Sequence, residues 1–323
     1  MTSNRLRSRT RGAGAVTAVV ALCHALLGSA SAQPTAITPP VERAGTGVAL
    51  LTTIRALTAP GMDGRATGSP GGAKARAWIL ERFKAIGVQP MTSGGFEAPF
   101  AFAAKTGETV RGVNLVAACP GARAGGPAIV VSAHYDHLGV RDGQTYHGAD
   151  DNASGVAMLL AVAERCVKTP YAHTLVLVAF DAEEHGLQGA KAFLASPPIP
   201  AARIALAMNF DMISRSDRRE IYVAGPGRWP RLLPVLTAAV AHAPISVKFG
   251  HDTGGGHDDW TQQSDHGVFD GAGVPFVYFG VEDHADYHKP TDTADKIAPA
   301  FLADVAAVVL SSLAALDRAP AFK

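Results

Sequence analysis

Two adjacent carboxylates, Glu183 and Glu184, follow the apolar run 174–180, which reads Thr-Leu-Val-Leu-Val-Ala-Phe. A short run of this composition, rich in β-branched residues and bounded by turn residues, is typical of a strand buried on both faces. Open α/β sheets bind their ligands at the edge where the carboxyl ends of the strands meet. The pair therefore predicts charged chemistry at that edge of a sheet.

Three more predicted strands, and the start of one predicted helix, carry residues that could bind metal ions. The possible metal-binding residues are His134 and Asp136 after 129–133, Asp211 after 206–210, His284 and His288 beyond 274–279, and Asp150 and Asp151 before the helix 152–166. Carboxylate and imidazole ligands without thiolate suit a catalytic zinc site with open positions. Carboxylates can also bridge two ions about 3.5–4 Å apart.

Each of these residues has a simpler interpretation when it is taken alone. Asp150 or Asp151 could be a helix N-cap, His134 could be an ordinary hydrogen-bonded histidine, and Asp211 could cap a turn. These interpretations would have to hold at four strand ends at once. A shared metal site explains the whole pattern with one cause.

The elements that must position these residues alternate along the chain. Strands are predicted at 110–117, 128–133, 174–180, 204–210 and 274–279, and helices at 49–57, 72–86, 152–166, 232–241 and from Pro299 onwards. This alternation predicts an α/β fold with a mostly parallel, mixed central sheet and helices on both faces. No repeat or shift in composition marks a second domain, so we expect one domain over 45–323.

The first 32 residues have the pattern of a secretory signal peptide. Four arginines precede the apolar stretch 15–27, and Ala30-Ser31-Ala32 has the A-x-A form of a cleavage site. The stretch is too short to span a bilayer. We therefore expect an exported protein, periplasmic or secreted, with residues 33–44 as a flexible lead-in.

Charge and cysteine content limit the partners. Without the four arginines of the signal, 25 of the 29 basic residues remain against 28 acidic residues. A slightly acidic chain argues against nucleic-acid and anionic-membrane partners, and we expect neither. Cys119 and Cys166, the two cysteines after the signal, could form a disulfide in an exported protein or stay as buried thiols.

The ordered motifs resemble those of the co-catalytic zinc aminopeptidases of peptidase family M28, from about Gly64 to the C-terminus. The motifs are His134-Tyr135-Asp136-His137-Leu138-Gly139, Gly148-Ala149-Asp150-Asp151-Asn152-Ala153-Ser154-Gly155, Glu183-Glu184-His185-Gly186, Asn209-Phe210-Asp211-Met212, Ser264-Asp265-His266 and Tyr287-His288. The segment Gly64-Arg65-Ala66-Thr67-Gly68-Ser69-Pro70-Gly71 is similar to the N-terminal part of that family. The resemblance implies the three-layer fold of the zinc exopeptidases.

The resemblance also implies a role for each matching residue. Two zinc ions would be held by His134, Asp150, Glu184, Asp211 and His288, with Asp150 bridging them and its peptide bond to Asp151 in the cis form. Glu183 would act as the general base. Asp136 would orient His134, and Asp151, Asp265 and His266 would support the site or the substrate. Where some members carry a tyrosine that hydrogen-bonds the reacting group, this chain has Trp260-Thr261-Gln262-Gln263.

The function that the resemblance implies is a zinc exopeptidase acting on peptides, foremost an aminopeptidase. The alternatives are a glutaminyl cyclase, which shares the fold but works as an acyltransferase, usually with one zinc, and a carboxypeptidase or dipeptidase of the same fold. A binding module without catalysis is a further alternative, but such relatives lose ligands, and here the ligand set and Glu183 are complete.

Overall fold

A computed structural model describes residues 40–123, 125–254, 258–320 and 322, with side chains from residue 45 onwards. The predicted signal peptide and residues 33–39 of the predicted lead-in lie outside the described residues. The strands are β1 (Gln89–Pro90), β2 (Glu97–Ala103), β3 (Thr109–Cys119), β4 (Ala128–His134), β5 (Gly139–Arg141), β6 (Gln144–Tyr146), β7 (Thr174–Phe180), β8 (Ile204–Phe210), β9 (Glu220–Ala224), β10 (Ser246–Phe249) and β11 (Phe276–Gly280).

The main sheet of the described residues has nine strands, in the order β1-β3-β7-β4-β8-β11-β9-β10, with β2 paired to β3. Its centre, β7-β4-β8-β11, is parallel, whereas β3 and β9 run antiparallel to their central neighbours. The central strands are almost wholly buried, as their continuous apolar composition predicts. The predicted α/β fold with a mostly parallel, mixed sheet is confirmed.

Helices cover both faces of this sheet. They are α1 (Pro40–Leu57), α2 (Pro70–Ile86), α3 (Gly155–Lys168), α4 (Gln188–Ala195), α5 (Leu232–Val240), α6 (His266–Gly271) and α7 (Pro299–Arg318). One apolar core joins α1, α2, α3, α5 and α7 to the sheet, and a smaller one joins α4 and α6 to the other face. Because β7, β4, β8 and β11 are parallel, their carboxyl ends lie at a single edge of the sheet, between the two helical layers.

Helix α1 begins at Pro40, nine residues before the predicted start at 49, so residues 40–44 of the predicted lead-in belong to the helix. Proline suits the first turn of a helix because its missing N–H would have no partner there. Glycines at 45 and 47 weakened the helical pattern in the sequence. A Cβ on Gly47 would stand 2.1 Å from the carbonyl oxygen of Pro299, so this glycine serves the close contact of α1 with α7.

Helix α7 is the one described helix that is long and apolar enough to cross a membrane. Its most apolar window is 61 % buried inside the protein. It packs against α1 and α5. These contacts are typical of a core helix.

A disulfide joins Cys119, the last residue of β3, to Cys166 in α3. Both residues are buried, and they lie near the starts of β4 and β7, at the sheet edge opposite the predicted metal ligands. The pairing resolves the choice between a disulfide and two free thiols.

Replacing both cysteines by alanine should lower the free energy of unfolding by about 2–4 kcal/mol, because the bond limits the unfolded chain. Urea unfolding of the variant and of the wild type under oxidising conditions measures the loss. Catalytic rates well below the melting temperature should not change. Equal unfolding midpoints would contradict a disulfide in the mature protein.

Candidate metal centre

The predicted site residues meet at the carboxyl edge of the central strands. His134 ends β4, Glu183 and Glu184 follow β7, and Asp211 follows β8. His288 lies eight residues after the end of β11. Parallel strands bring their carboxyl ends to one edge, so these four segments, together with the turn before α3 that carries Asp150 and Asp151, can supply one cluster.

One group of donor atoms consists of His134, Asp151 and Asp211. The Nε2 atom of His134 lies 3.2 Å from Oδ1 of Asp211 and 3.4 Å from Oδ1 of Asp151. The three side chains are buried. One imidazole and two carboxylates at this spacing could hold a metal ion and leave a position open.

A second group contains Asp151, Glu184 and two histidines. The Nε2 atom of His288 lies 3.1 Å from Oδ2 of Asp151 and 3.4 Å from Oε2 of Glu184. The Nδ1 atom of His137 lies 2.7 Å from Oε1 of Glu184 and 3.7 Å from Oδ2 of Asp151. His137 was not among the predicted ligands, although it belongs to the motif 134–139. Asp151 thus belongs to both groups, one through each carboxylate oxygen.

Asp150, which the resemblance placed at the centre, points away from these donors, and Asp151 takes that place. Oδ1 of Asp150 accepts hydrogen bonds from the backbone N–H (2.7 Å) and the hydroxyl (2.6 Å) of Ser214. Its Oδ2 lies 3.1 Å from Nε2 of His284. Asp150 and Asp151 are adjacent in an irregular turn, and their side chains point to different partners. The bridging position therefore lies one residue later in the sequence than the resemblance implies. The cis peptide bond likewise lies one residue later than expected, between Asp151 and Asn152.

Asp292 fixes this turn from outside the predicted motifs. Its carboxylate is fully buried and accepts the backbone N–H groups of Asp150 and Asp151 at 3.0–3.1 Å. Its place in the sequence, four residues after His288, gave no periodic signal of this contact. The contact orients the backbone of the turn and leaves the Asp151 carboxylate free for the donor groups.

Asp136 lies next to His134 but acts mainly on the segment after β7. Its carboxylate accepts the backbone N–H groups of Glu183 (3.0 Å) and Glu184 (3.3 Å). Nδ1 of His134 lies 3.2 Å from the backbone carbonyl of Asp136 and 3.6 Å from its carboxylate. The carbonyl is therefore the nearer partner, and a neutral His134 would donate to it and present Nε2 to the metal group.

Glu183 differs from its neighbour because its carboxylate makes no hydrogen bond within the described part of the chain. Burial raises the pKa of Glu183 well above its usual range; the charge of His134 opposes this shift, and that of Asp211 adds to it. The residue is half-buried and is absent from both donor groups. A free carboxylate beside two metal-binding groups has the placement required of a general base.

The motif Ser264-Asp265-His266 supports the cluster through its serine, which was not predicted. The Ser264 hydroxyl donates to Oδ2 of Asp211 at 2.7 Å and accepts from Nδ2 of Asn209 at 2.9 Å. Asp265 is fully buried, and neither of its oxygens has a hydrogen-bond partner. His266 bonds the carbonyl of Trp260 through Nε2, and in the described part of the chain it makes no hydrogen bond or ion pair with a member of the donor groups.

The charges of the site act on its histidines. Burial lowers the pKa of His134, but Asp211 and Glu183 outweigh this effect and raise it well above the usual value. Burial also opposes the shift at His288, where hydrogen bonds to Asp151 and Glu184 raise the pKa to about 10. The carboxylates therefore favour the protonated form of both imidazoles, and a metal ion must displace a proton from each ring nitrogen that it binds.

Zinc binding should consequently release protons between pH 7 and 9, and the apparent affinity should rise with pH over that range. Calorimetric titration in two buffers of different ionisation enthalpy counts the protons, and we expect at least one per chain. His288→Gln should reduce the number released, whereas His242→Gln, an exposed histidine of the region after α5, should not. A titration without proton release would contradict the charge state inferred for His134 and His288.

Comparison with known proteins places the chain in a family. The sequence profile described as Peptidase family M28 matches residues 114–313. A probable lipoprotein aminopeptidase, LpqL of Mycobacterium tuberculosis, is 29 % identical over 202 residues, which cover 52 % of this chain and 38 % of LpqL. The BOS complex subunit NCLN of Canis lupus familiaris is 30 % identical over 139 residues, 38 % of this chain and 24 % of that protein. The chain thus spans well under half the length of these two curated relatives.

Solved structures share the fold at low identity. An aminopeptidase from Aneurinibacillus sp. strain AM-1 superposes with a TM-score of 0.66 at 19 % identity, covering 83 % of this chain and 93 % of that one. A glutaminyl cyclase from an Acidobacteriales bacterium gives a TM-score of 0.68 at 23 % identity, with coverages of 83 % and 93 %. The profile match extends over more than half of the residues and includes the whole cluster described above. The chain belongs to peptidase family M28.

Proposed function

We propose that this chain is an exported zinc-dependent aminopeptidase that hydrolyses N-terminal residues from peptides. The observation that carries the proposal is the sharing of Asp151 between two donor groups, His134 with Asp211 and Glu184 with His288. This arrangement suits two ions that act on one reacting centre. Membership of family M28 and the structural likeness to aminopeptidases support it.

The donor set fits zinc. The two groups consist of imidazole nitrogens and carboxylate oxygens, which are common ligands of catalytic zinc. Asp151, Glu184 and Asp211 bring three negative charges, which offset most of the charge of two zinc ions and reduce the cost of holding them in a partly buried cleft. When bound, zinc would lower the pKa of a water molecule and polarise the scissile carbonyl.

The chain's own residues would handle the protons and the orientation. Glu183 would take a proton from the attacking water and pass it to the leaving amine. Asp136 holds the backbone of Glu183 and Glu184 in place through its two N–H contacts. Ser264 would keep Asp211 turned towards His134.

Tyr287 would supply a hydroxyl to the reacting carbonyl oxygen, in place of the tyrosine absent from 260–263. Its ring stacks on His288 at 4.0 Å, and its hydroxyl makes no hydrogen bond in the described part of the chain. Burial, followed by the charges of Asp151 and Asp211, raises the pKa of Tyr287, so the hydroxyl keeps its proton. A protonated donor beside the metal groups can stabilise negative charge on that oxygen.

Tyr287→Phe should therefore lower kcat by about 10- to 100-fold while the zinc content stays the same, since the loss of one such donor costs up to about 10²–10³. Steady-state rates with an aminoacyl-nitroanilide, together with metal analysis, measure both quantities. Tyr171→Phe, which lies outside the site, is the control and should leave kcat unchanged. An unchanged kcat in Tyr287→Phe would remove this role.

A glutaminyl cyclase is the second candidate, and the superposition on the Acidobacteriales enzyme favours keeping it. Zinc counted per chain by mass spectrometry, with rates on aminoacyl-nitroanilides and on glutaminyl peptides, separates the two. Two zinc ions and hydrolysis of peptides with a free amino end support the aminopeptidase. One zinc and cyclisation of the glutaminyl peptide support the cyclase.

Peptides blocked at the amino end test the kind of exopeptidase. Equal rates on blocked and unblocked peptides would leave a hydrolase but remove the aminopeptidase assignment, and release of the C-terminal residue would favour a carboxypeptidase.

Export is part of the proposal: the Cys119–Cys166 disulfide fits an oxidising compartment, and the pattern of residues 1–32 fits a signal peptide. Mass analysis of the mature N-terminus, expected at Gln33, checks it.

A further inference from the structure

Arg65 is a fully buried arginine that contacts the segments next to the candidate metal centre. It ends the short 3₁₀ helix Pro60–Arg65 between α1 and α2 and lies in the left-handed region at φ 54°. Gly64 precedes it with φ 64°, and a Cβ there would stand 2.4 Å from the carbonyl oxygen of Tyr146. The end of this 3₁₀ helix is thus packed against the protein interior, and the guanidinium is buried.

The guanidinium donates to four backbone carbonyls. Nε donates to Tyr135 (2.9 Å), and Nη1 donates to both Leu57 (3.0 Å) and His147 (2.7 Å). Nη2 donates to Gly148 (2.8 Å). Four carbonyl acceptors around one side chain require a donor with several N–H groups, which arginine provides.

These carbonyls belong to the two segments that flank the metal donors. Tyr135 stands between His134 and Asp136, whereas His147 and Gly148 come just before the turn that carries Asp151. Leu57 closes α1 and fixes the guanidinium to the helical layer. A single side chain therefore joins the segment of one ligand to the segment of the shared carboxylate.

Arg65 makes no direct ion pair in the described part of the chain. Burial lowers its pKa to about 10, and the nearby charges of Asp151 and Asp292 oppose that shift. The group therefore stays protonated at neutral pH. Its hydrogen bonds go to carbonyls, so its positive charge remains to attract the carboxylates of the site.

We propose that Arg65 is a positioning residue that sets the distance between the 134–137 and 147–151 segments and thereby the affinity of the centre for zinc. The inference rests on the proposed zinc function, since the property that it sets is metal affinity. Outer contacts of this kind typically contribute 10- to 100-fold to metal affinity.

The test is zinc affinity, measured by competition with a chromogenic chelator, in Arg65→Lys and Arg65→Met. Lysine keeps the charge but cannot reach four carbonyls, so we expect its affinity to fall at least about 10-fold, and that of the methionine variant about 100-fold. The cobalt-substituted Arg65→Lys should also have an altered visible spectrum, because the ligand geometry changes.

Two controls separate positioning from general loss of stability. Arg203→Lys removes an arginine that lies just before β8, at the opposite sheet edge, and donates to the carbonyl of Gly126. The double variant Cys119→Ala, Cys166→Ala should be less stable but keep its metal-binding residues in place, because the disulfide lies at the sheet edge opposite the donor groups. Both should bind zinc like the wild type, measured at a temperature where each variant is folded.

Wild-type zinc affinity in Arg65→Lys would overturn the inference, whereas a wild type that binds no zinc would overturn the proposed function itself. If neither Arg65 variant folds, nuclear magnetic resonance of the wild type decides. The Nε–H of Arg65 should exchange slowly with solvent both before and after zinc is added. Protection that appears only after zinc would mean that the metal orders Arg65, and would overturn the inference.

Discussion

Glu183→Gln is expected to lower kcat by about 10²–10⁴-fold and to leave the zinc content of the protein unchanged. The range is that of general acid–base catalysis, because the amide can neither accept the proton of the attacking water nor return it to the leaving amine. Glu183 takes no part in either donor group, and its backbone N–H, the part of the residue held by Asp136, is retained in the variant. Steady-state rates and metal analysis on the same sample measure the two effects.

Glu184→Gln is the matched control, since it makes the same chemical change one residue away. Glu184 contacts His137 and His288, so its variant should lose zinc as well as activity. If Glu183→Gln lost zinc, the two glutamates would have to exchange roles. If it kept full activity, another group would act as the base.

The second large effect is expected at Asp151. Asp151→Asn should reduce bound zinc from two ions to one or fewer and lower hydrolysis more than 100-fold, because even outer-shell changes cost about 10–100-fold in metal affinity or activity. The asparagine carries no charge, and only one of its two terminal atoms has a free electron pair for a metal ion. It therefore cannot act as a ligand in both the His134 group and the His288 group. Zinc per chain after dialysis, followed by rates in added zinc, measures the loss.

Asp150→Asn is the control here, and the pair decides between the sequence-based assignment and the structural one. Asp150 accepts from Ser214, and an asparagine oxygen can do the same. We therefore expect two zinc ions in Asp150→Asn, with at most a modest loss of stability. Retention of zinc in Asp151→Asn and its loss in Asp150→Asn would return the bridging role to Asp150.

The sheet and the strand-end ligands could be predicted because they depend on patterns within short runs. The predicted strands 174–180 and 204–210 have the bounds of β7 and β8. Continuous apolar runs mark buried parallel strands, and the carboxyl edge follows from the topology. The sequence predicts too late a start for helix α1 because Gly47 reduces helical propensity, and the contact of Gly47 with Pro299 cannot be read from nearby residues.

The orientation of side chains in turns could not be predicted in the same way. Asp150 and Asp151 stand in an irregular turn before α3, where no period tells which carboxylate faces the donors. The contacts of Asp292 with that turn and of Ser264 with Asp211 join residues 53 or more positions apart. Proximity of that kind is a property of the fold, and one sequence has no local signal for it.

The position of Asp151 has a consequence for the order in which ions enter. Its Oδ1 faces His134 and its Oδ2 faces His288, so one carboxylate would be engaged at both ends. The first cation would neutralise its charge and fix its rotation, and the second would meet a ligand that is already aligned but less negative. The stepwise association constants should therefore differ, and preparations with limiting metal should contain a defined half-loaded species.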